Sequence, residues 1–216
     1  GVLLSGIPGV PPAVVVILGG GVVGVNAARA FMGLKTQVIV LDRDLNHLQV
    51  IDDMFSGGVT TMLSNRYNLN RVVSFADIVI GCVQTPGERA PILITREMVR
   101  QMRPGSVIID LSIVDGGCVE TSRPTTLDDQ IFEVGGVIHH CLPNITSLVA
   151  RTASYALTNA ALPCLKALGN HGLDEVIRTT SALARGINLY RGQVAHPKIA
   201  AALGKQLEIT LPTGET

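Results

Sequence analysis

Ala13-Val14-Val15-Val16-Ile17-Leu18-Gly19-Gly20-Gly21-Val22-Val23-Gly24 is the stretch around which the rest of the chain is organised. Val14 to Leu18 is an unbroken apolar run, rich in β-branched residues, which is how a parallel strand buried on both faces reads. Gly19, Gly21 and Gly24 follow as G-x-G-x-x-G, and the sequence from Val22 to Phe31 continues as an apolar, alanine-rich helix. The physics of such a turn asks for glycine three times. The first allows the sharp turn, the second lets backbone approach a pyrophosphate, and the third lets helix and strand pack closely. Free N–H groups and the dipole at the helix start then hold phosphates. A glycine-rich turn can also be purely structural, so the context matters. Thr36 to Leu41 is a second apolar strand, and it ends in Asp42. That acid lies about twenty residues beyond the glycines, where a dinucleotide fold places the group for the adenosine ribose hydroxyls. A carboxylate there repels a 2′-phosphate and points to NAD over NADP. Arg43 beside it works the other way, because an arginine can pair with such a phosphate.

The 216 residues suffice for one large domain, or one domain with a small appendage. The 17 basic and 17 acidic residues balance, and no basic stripe with interleaved aromatics occurs, which argues against a nucleic-acid partner. Cys82, Cys118, Cys141 and Cys164 are widely spaced and form no C-x-x-C pair, so a reducing cytoplasm is the expected location. No apolar run reaches the length of a membrane span, and no signal peptide is evident. The chain opens without methionine on a Pro/Gly-rich lead-in, residues 1–12, as a fragment of a longer protein would.

Along the chain, hydrophobic spacing predicts strands over 14–18, 36–41, 59–63, 78–83, 106–111 and 136–141. Helices are predicted over 22–34, 44–55, 68–75, 95–102, 147–168, 173–186 and 197–203. The strand over 78–83 is expected across the reversal of strand order, where ligands sit outside the carboxyl ends of the strands. The loop from Gln84 to Leu93 then lies at the correct end of the sheet to touch the nicotinamide half. Residues 119–135 read as a polar excursion. The fold class is thus α/β: a doubly wound, mostly parallel Rossmann-type sheet with a C-terminal helical return.

Several groups have both a chemical and a structural interpretation. His139-His140-Cys141 resembles a metal cluster, but neighbours on a strand point to opposite faces. Only His139 and Cys141 share a face, no complementary ligand pair is evident, and no metal is expected. Cys82 in an apolar strand reads as an inert thiol. Asp110 at a strand end can cap or orient loops, or act in catalysis. Asp115 is the carboxylate of a glycine-rich loop facing the expected nicotinamide, and Asp-Gly-Gly is equally a turn signal.

The chain resembles the alanine dehydrogenase and pyridine nucleotide transhydrogenase family. The likeness is carried by Gly6-Ile7-Pro8-Gly9-Val10, the glycine turn, Leu41-Asp42-Arg43, Ser64-Asn65, Gly116-Gly117-Cys118 with Arg123-Pro124-Thr125-Thr126, and Ser154-Tyr155-Ala156-Leu157-Thr158-Asn159. It extends to about residue 204 and is closer to alanine dehydrogenase. The resemblance implies an NAD-binding domain, residues 1–186, and a return segment, 187–216, toward a substrate half that this sequence lacks. It implies reversible oxidative deamination of L-alanine to pyruvate and ammonia with hydride passing to NAD, a small amino or keto acid as substrate, and a homo-oligomer. The cofactor residues that follow are Gly19, Gly21, Val22, Val23 and Gly24 in the turn, Asp42 and Arg43 at the ribose, and Ser64 on the adenine side. Cys82 and Val83 border the nicotinamide, and Asn144 lies near the substrate.

Two departures fall at the catalytic mouth. The family carries an aspartate before the residue that precedes Gly-Gly-Cys; Val114 stands in its place, and Asp115 comes one residue late. In an extended segment that shift turns a side chain to the other face. The family's Met-Pro-Gly-Ala-Val-Pro is replaced by Ile145-Thr146-Ser147-Leu148-Val149-Ala150. Asp115 is therefore the catalytic candidate of an alanine-dehydrogenase-like enzyme, and the alternative is a catalytically silent NAD(H)-binding sensor or assembly module.

Overall fold

The computed structural model describes residues 1–85 and 87–211. The chain divides into two compact units, residues 1–144 and 145–216. In the first, β1 (Val14–Leu18), α1 (Val22–Gly33), β2 (Gln37–Asp42), α2 (Leu45–Phe55), β3 (Thr60–Leu63), α3 (Arg66–Val73) and β4 (Ile78–Gly81) alternate regularly. They are followed by α4 (Arg96–Gln101), β5 (Val107–Asp110), β6 (Ile131–Val134) and β7 (Val137–His140).

These strands form one sheet in the order β3-β2-β1-β4-β5-β7-β6, parallel throughout except for β6. Strand order reverses between β1 and β4, as expected. Leu18 is in register with Leu41 on one side and with Gly81 on the other. The apolar run of β1 divides between the two faces of the sheet. Val16 and Leu18 join Leu69, Val72 and Val99 in one buried layer, while Val15 and Ile17 join Ala28, Leu48 and Ile51 in the other. Coverage on both faces is why this strand is unbroken rather than alternating.

Side chains fix the helix starts. Asp44 accepts from the Asn46 amide at 2.9 Å, Asn65 from Asn68 at 2.8 Å and Thr95 from Met98 at 3.3 Å. Asn65 starts α3 earlier than its apolar spacing suggests.

The expected polar excursion, 119–135, needs correction at its end. Ile131–Val134 pairs antiparallel with β7 across Gly135 and Gly136, whose φ values are +62° and +84°. Two consecutive positive-φ residues make the two-residue hairpin turn that suits strand twist.

The second unit contains α5 (Ala150–His171), α6 (Leu173–Thr179), α7 (Ser181–Arg185), the short pair β8 (Leu189–Tyr190) and β9 (Gln193–Val194), and α8 (Pro197–Ala202). The single helix expected over 173–186 is broken at Thr180, whose backbone is extended. The expected start at 147 lies inside a 3-10 turn, Ile145–Val149, that precedes α5. No helix among the described residues is long and apolar enough to cross a membrane.

Candidate functional site

A cavity of about 530 Å³ opens at the carboxyl ends of β1, β2 and β4, where the strand order reverses. Gly19, Gly21, Val22 and Val23 line it from the turn after β1, Asp42 and Arg43 from the end of β2, and Ser64 from the end of β3. Cys82 and Val83 line it after β4, together with Gln84, Thr85, Pro91 and Leu93 of the following loop. Pro86, in the same loop, is outside the described residues. Gly24, Asp115 and Asn144 are not among the residues that line the cavity.

The glycines divide the work as their positions require. Gly19 has φ +102°, and a Cβ there would meet the Cys82 carbonyl oxygen at 2.8 Å. A Cβ on Gly24 would collide with the Gly19 carbonyl, so Gly24 sits beneath the turn and allows α1 to approach β1. At Gly21 a Cβ would meet nothing within 4 Å. No side chain caps α1, and its first amides lack partners within the helix. Val22 and Val23, in that first turn, are exposed. Open space over Gly21, uncapped amides and the positive end of a helix of 12 residues fit a diphosphate.

Asp42 stands beside this turn. Its Oδ2 accepts from the Gly20 amide at 2.6 Å and lies 3.2 Å from His47 Nδ1, while Oδ1 accepts from the Asp44 amide at 2.8 Å. Burial raises its carboxyl pKa, but the amides of Asp44 and Gly20 and the nearby His47 outweigh that and hold it below the usual value. The carboxylate is therefore ionised and fixed in orientation, as recognition of a ribose diol requires.

At the end of β4, burial and then the charge of Asp110 push the Cys82 thiol up to about 12. Burial and Asp110 also raise Cys118 well above an ordinary thiol. Neither supplies a thiolate near neutrality. Ser112 Oγ donates to the Val83 carbonyl at 2.7 Å and fixes the chain as it leaves β4.

Asp110 is fully buried, and both its oxygens are occupied. Oδ1 accepts from the Ser112 amide at 3.0 Å, and Oδ2 from Cys118 at 3.0 Å and Val119 at 3.3 Å. Of the two interpretations, the loop-orienting one describes these contacts. Gly81 lies in register with it, and a Cβ on Gly81 would collide with Cys118 Sγ and meet Asp110 Oδ1 at 2.9 Å.

The loop so anchored carries Val114 and Asp115. Val114 is 63% exposed. The Asp115 carbonyl accepts from the Ala90 amide at 2.8 Å, and Gly116 beside it has φ +99° with the Arg89 guanidinium close by. Asn144 is exposed with φ +53°.

His139 is structural. Its Nδ1 lies 2.9 Å from the Val137 carbonyl, which can only accept, so Nδ1 carries the proton and Nε2 accepts from Thr121 Oγ1 at 2.8 Å. The ring also stacks on Phe132 at 4.9 Å. Neither nitrogen is left for a metal.

Sequence reasoning missed His47 and Asp44 as lining residues. His47 lies one turn before Ile51 on α2, and Ile51 packs against Gly20 beneath the cavity. That i, i+4 spacing was the available signal.

The sequence profile of the alanine dehydrogenase/PNT C-terminal domain matches residues 1–197. The chain belongs to this family. It is 46% identical over 203 residues to an alanine dehydrogenase of Methanococcus maripaludis, a match that takes in 94% of this chain and 54% of that protein. With an alanine dehydrogenase of Mycobacterium tuberculosis the identity is 42% over 204 residues, covering 94% and 55%. Among solved structures, an L-alanine dehydrogenase superposes with a TM-score of 0.85 at 43% identity over 94% of this chain and 56% of the other. A transhydrogenase from Sinorhizobium meliloti gives a TM-score of 0.69 at 28% identity over 87% and 51%. The chain thus spans about half the length of the relatives it matches. As a member of the alanine dehydrogenase/PNT family with this cavity, it takes NAD as cofactor.

Proposed function

We propose that this chain is the NAD(H)-binding part of an alanine-dehydrogenase-like oxidoreductase, which reversibly converts L-alanine to pyruvate and ammonia. The cavity at the strand-order reversal, lined by an ionised Asp42 and by the uncapped start of α1, carries the proposal. NAD supplies the hydride acceptor; the protein supplies position and charge. Gly19, Gly21, Val22 and Val23 would hold the pyrophosphate, with Gly24 keeping α1 close. Asp42 and Arg43 would meet the adenosine ribose, and Ser64 the adenine side. Cys82 and Val83 would border the nicotinamide, and Asn144 the substrate. Residues 187–216 would return toward a substrate half.

In the enzyme, Asp115 is the carboxylate we assign to proton handling, on the loop held by Asp110. One observation favours a second function. Val114, at the family's aspartate position, is an exposed apolar side chain, and it brings no acid or base to the mouth. A silent NAD(H)-binding sensor or assembly module would need none.

Alanine-dependent NADH formation by the full-length protein, substrate half included, separates the two. Turnover that is lost in Asp115→Asn with NADH binding retained supports the enzyme. Tight NADH binding without turnover, and no gain in Val114→Asp, supports the module. A homo-oligomer in the cytoplasm belongs to the same proposal, and sedimentation together with cell fractionation would test it.

A further inference from the structure

Arg43 and His47 both line the cavity at its Asp42 end. We propose that these two residues set how strictly the site tells a free adenosine 2′-hydroxyl from a 2′-phosphate, so that NADP(H) is admitted beside NAD(H) when His47 is protonated. The inference rests on Asp42 meeting the adenosine ribose.

A carboxylate selects NAD in two ways. It accepts from the ribose hydroxyls, and its charge repels a phosphate. Both are weakened here. An ionised carboxylate offers about four acceptor positions. Gly20, Asp44 and His47 already occupy three of those on Asp42. A ribose diol held by both oxygens must therefore displace His47 from Oδ2. When protonated, His47 makes a charge-assisted bond and yields less readily.

The charges at this end are few. Among the cavity-lining residues, Asp42, Asp44 and Arg43 are the charged ones, and His47 is the one that can add a charge by taking up a proton. Gly20 from the turn after β1, Ser64 after β3, and Gln84 and Thr85 after β4 bring none, and the Cys82 thiol is held protonated. Asp44 is committed to capping α2, accepting from the Asn46 amide and side chain. Arg43 is exposed and makes no hydrogen bond or ion pair among the described residues, so its planar fork is available to a phosphate. With His47 neutral, two carboxylates face one guanidinium; with it protonated, the charges balance. Protonation thus withdraws Oδ2 from a ribose hydroxyl and adds a cation beside a phosphate, and both effects move selectivity in the same direction.

The test measures dissociation constants of NADH and NADPH for the full chain by cofactor fluorescence, between about pH 8.5 and pH 5.5, the interval in which imidazoles titrate. The preference for NADH is expected to narrow by about fivefold toward the acid end, the size of one partly screened charge at close range. His47→Gln should reduce that narrowing to the part owed to the titration of the nucleotide's own 2′-phosphate, which serves as an internal control. Arg43→Ala should weaken NADPH by a larger factor than it weakens NADH. A preference constant with pH in the wild type, or equal pH slopes in wild type and His47→Gln, overturns the inference while leaving the site assignment in place. Failure of both nucleotides to bind overturns the site assignment and the inference together.

Discussion

The Gly20 amide donates to Asp42 Oδ2 at 2.6 Å, which ties the turn after β1 to the end of β2. One carboxylate therefore shapes both the turn and the strand end that line the cavity. Asp42→Ala removes the acceptor we propose for the ribose and leaves the Gly20 and Asp44 amides without their partner. We expect NADH affinity to fall about tenfold to a hundredfold, the range for a lost bond to a charged group. Calorimetry that returns equal affinities for the two proteins would remove Asp42 from the site.

Gly81→Ala should destabilise the protein by about 1–3 kcal/mol, because the new methyl has to displace Cys118 Sγ and the buried Asp110 carboxylate. Urea unfolding measures this. An unchanged midpoint would mean that β4 and β5 separate more easily than their register implies.

Burial lowers the pKa of His139 below 6.5, although the Val137 carbonyl and Asp110 act to raise it. The unfolded chain therefore binds a proton there before the folded one does. The contribution of His139 is complete above its unfolded pKa and is lost as the pH falls through the folded value. Melting temperatures of the wild type should drop more steeply below about pH 6.5 than those of His139→Gln. Parallel slopes would show that the ring protonates freely in the folded state.

Cys82, Cys118 and Cys141 all have thiol pKa values raised first by burial. Cys164, on α5, is partly exposed, as is Cys82 in the cavity wall, whose raised pKa keeps it protonated. Brief alkylation at about pH 8 should label Cys164 and spare the other three until the protein unfolds. Peptide mass spectrometry reads the order, and early labelling of Cys82 would contradict its raised thiol pKa.

The first unit was largely legible in the sequence because its signals are local. β1 coincides with its apolar run, and α2 begins at the Asp44 cap and ends at Phe55, as spacing predicts. The Gly-Gly of the β6–β7 hairpin was equally local, but the polar residues before it masked the short run Ile131–Val134. The break at Thr180 was hidden by continuous helical composition on both sides. In the site, the glycine turn and Asp42 follow from a motif with a fixed spacing. His47 does not, since its relation to Asp42 arises only when α2 folds back over the end of β2. Asp110 was visible as a strand-end acid, but its role depends on amides eight and nine residues away, which no periodicity encodes.

β1 lies between a neighbour supplied almost at once and one supplied much later. β2 follows after a single helix, whereas β4 follows only after two further helices and a strand. A nascent chain leaving the ribosome therefore carries β1 with one unpaired edge until Ile78–Gly81 emerges, an interval of seconds at ordinary synthesis rates. That edge is apolar on both sides and open to other chains. Overproduction should therefore favour inclusion bodies over half-made chains rescued by refolding, and slower translation or holdase capture during this window should raise the recovered yield.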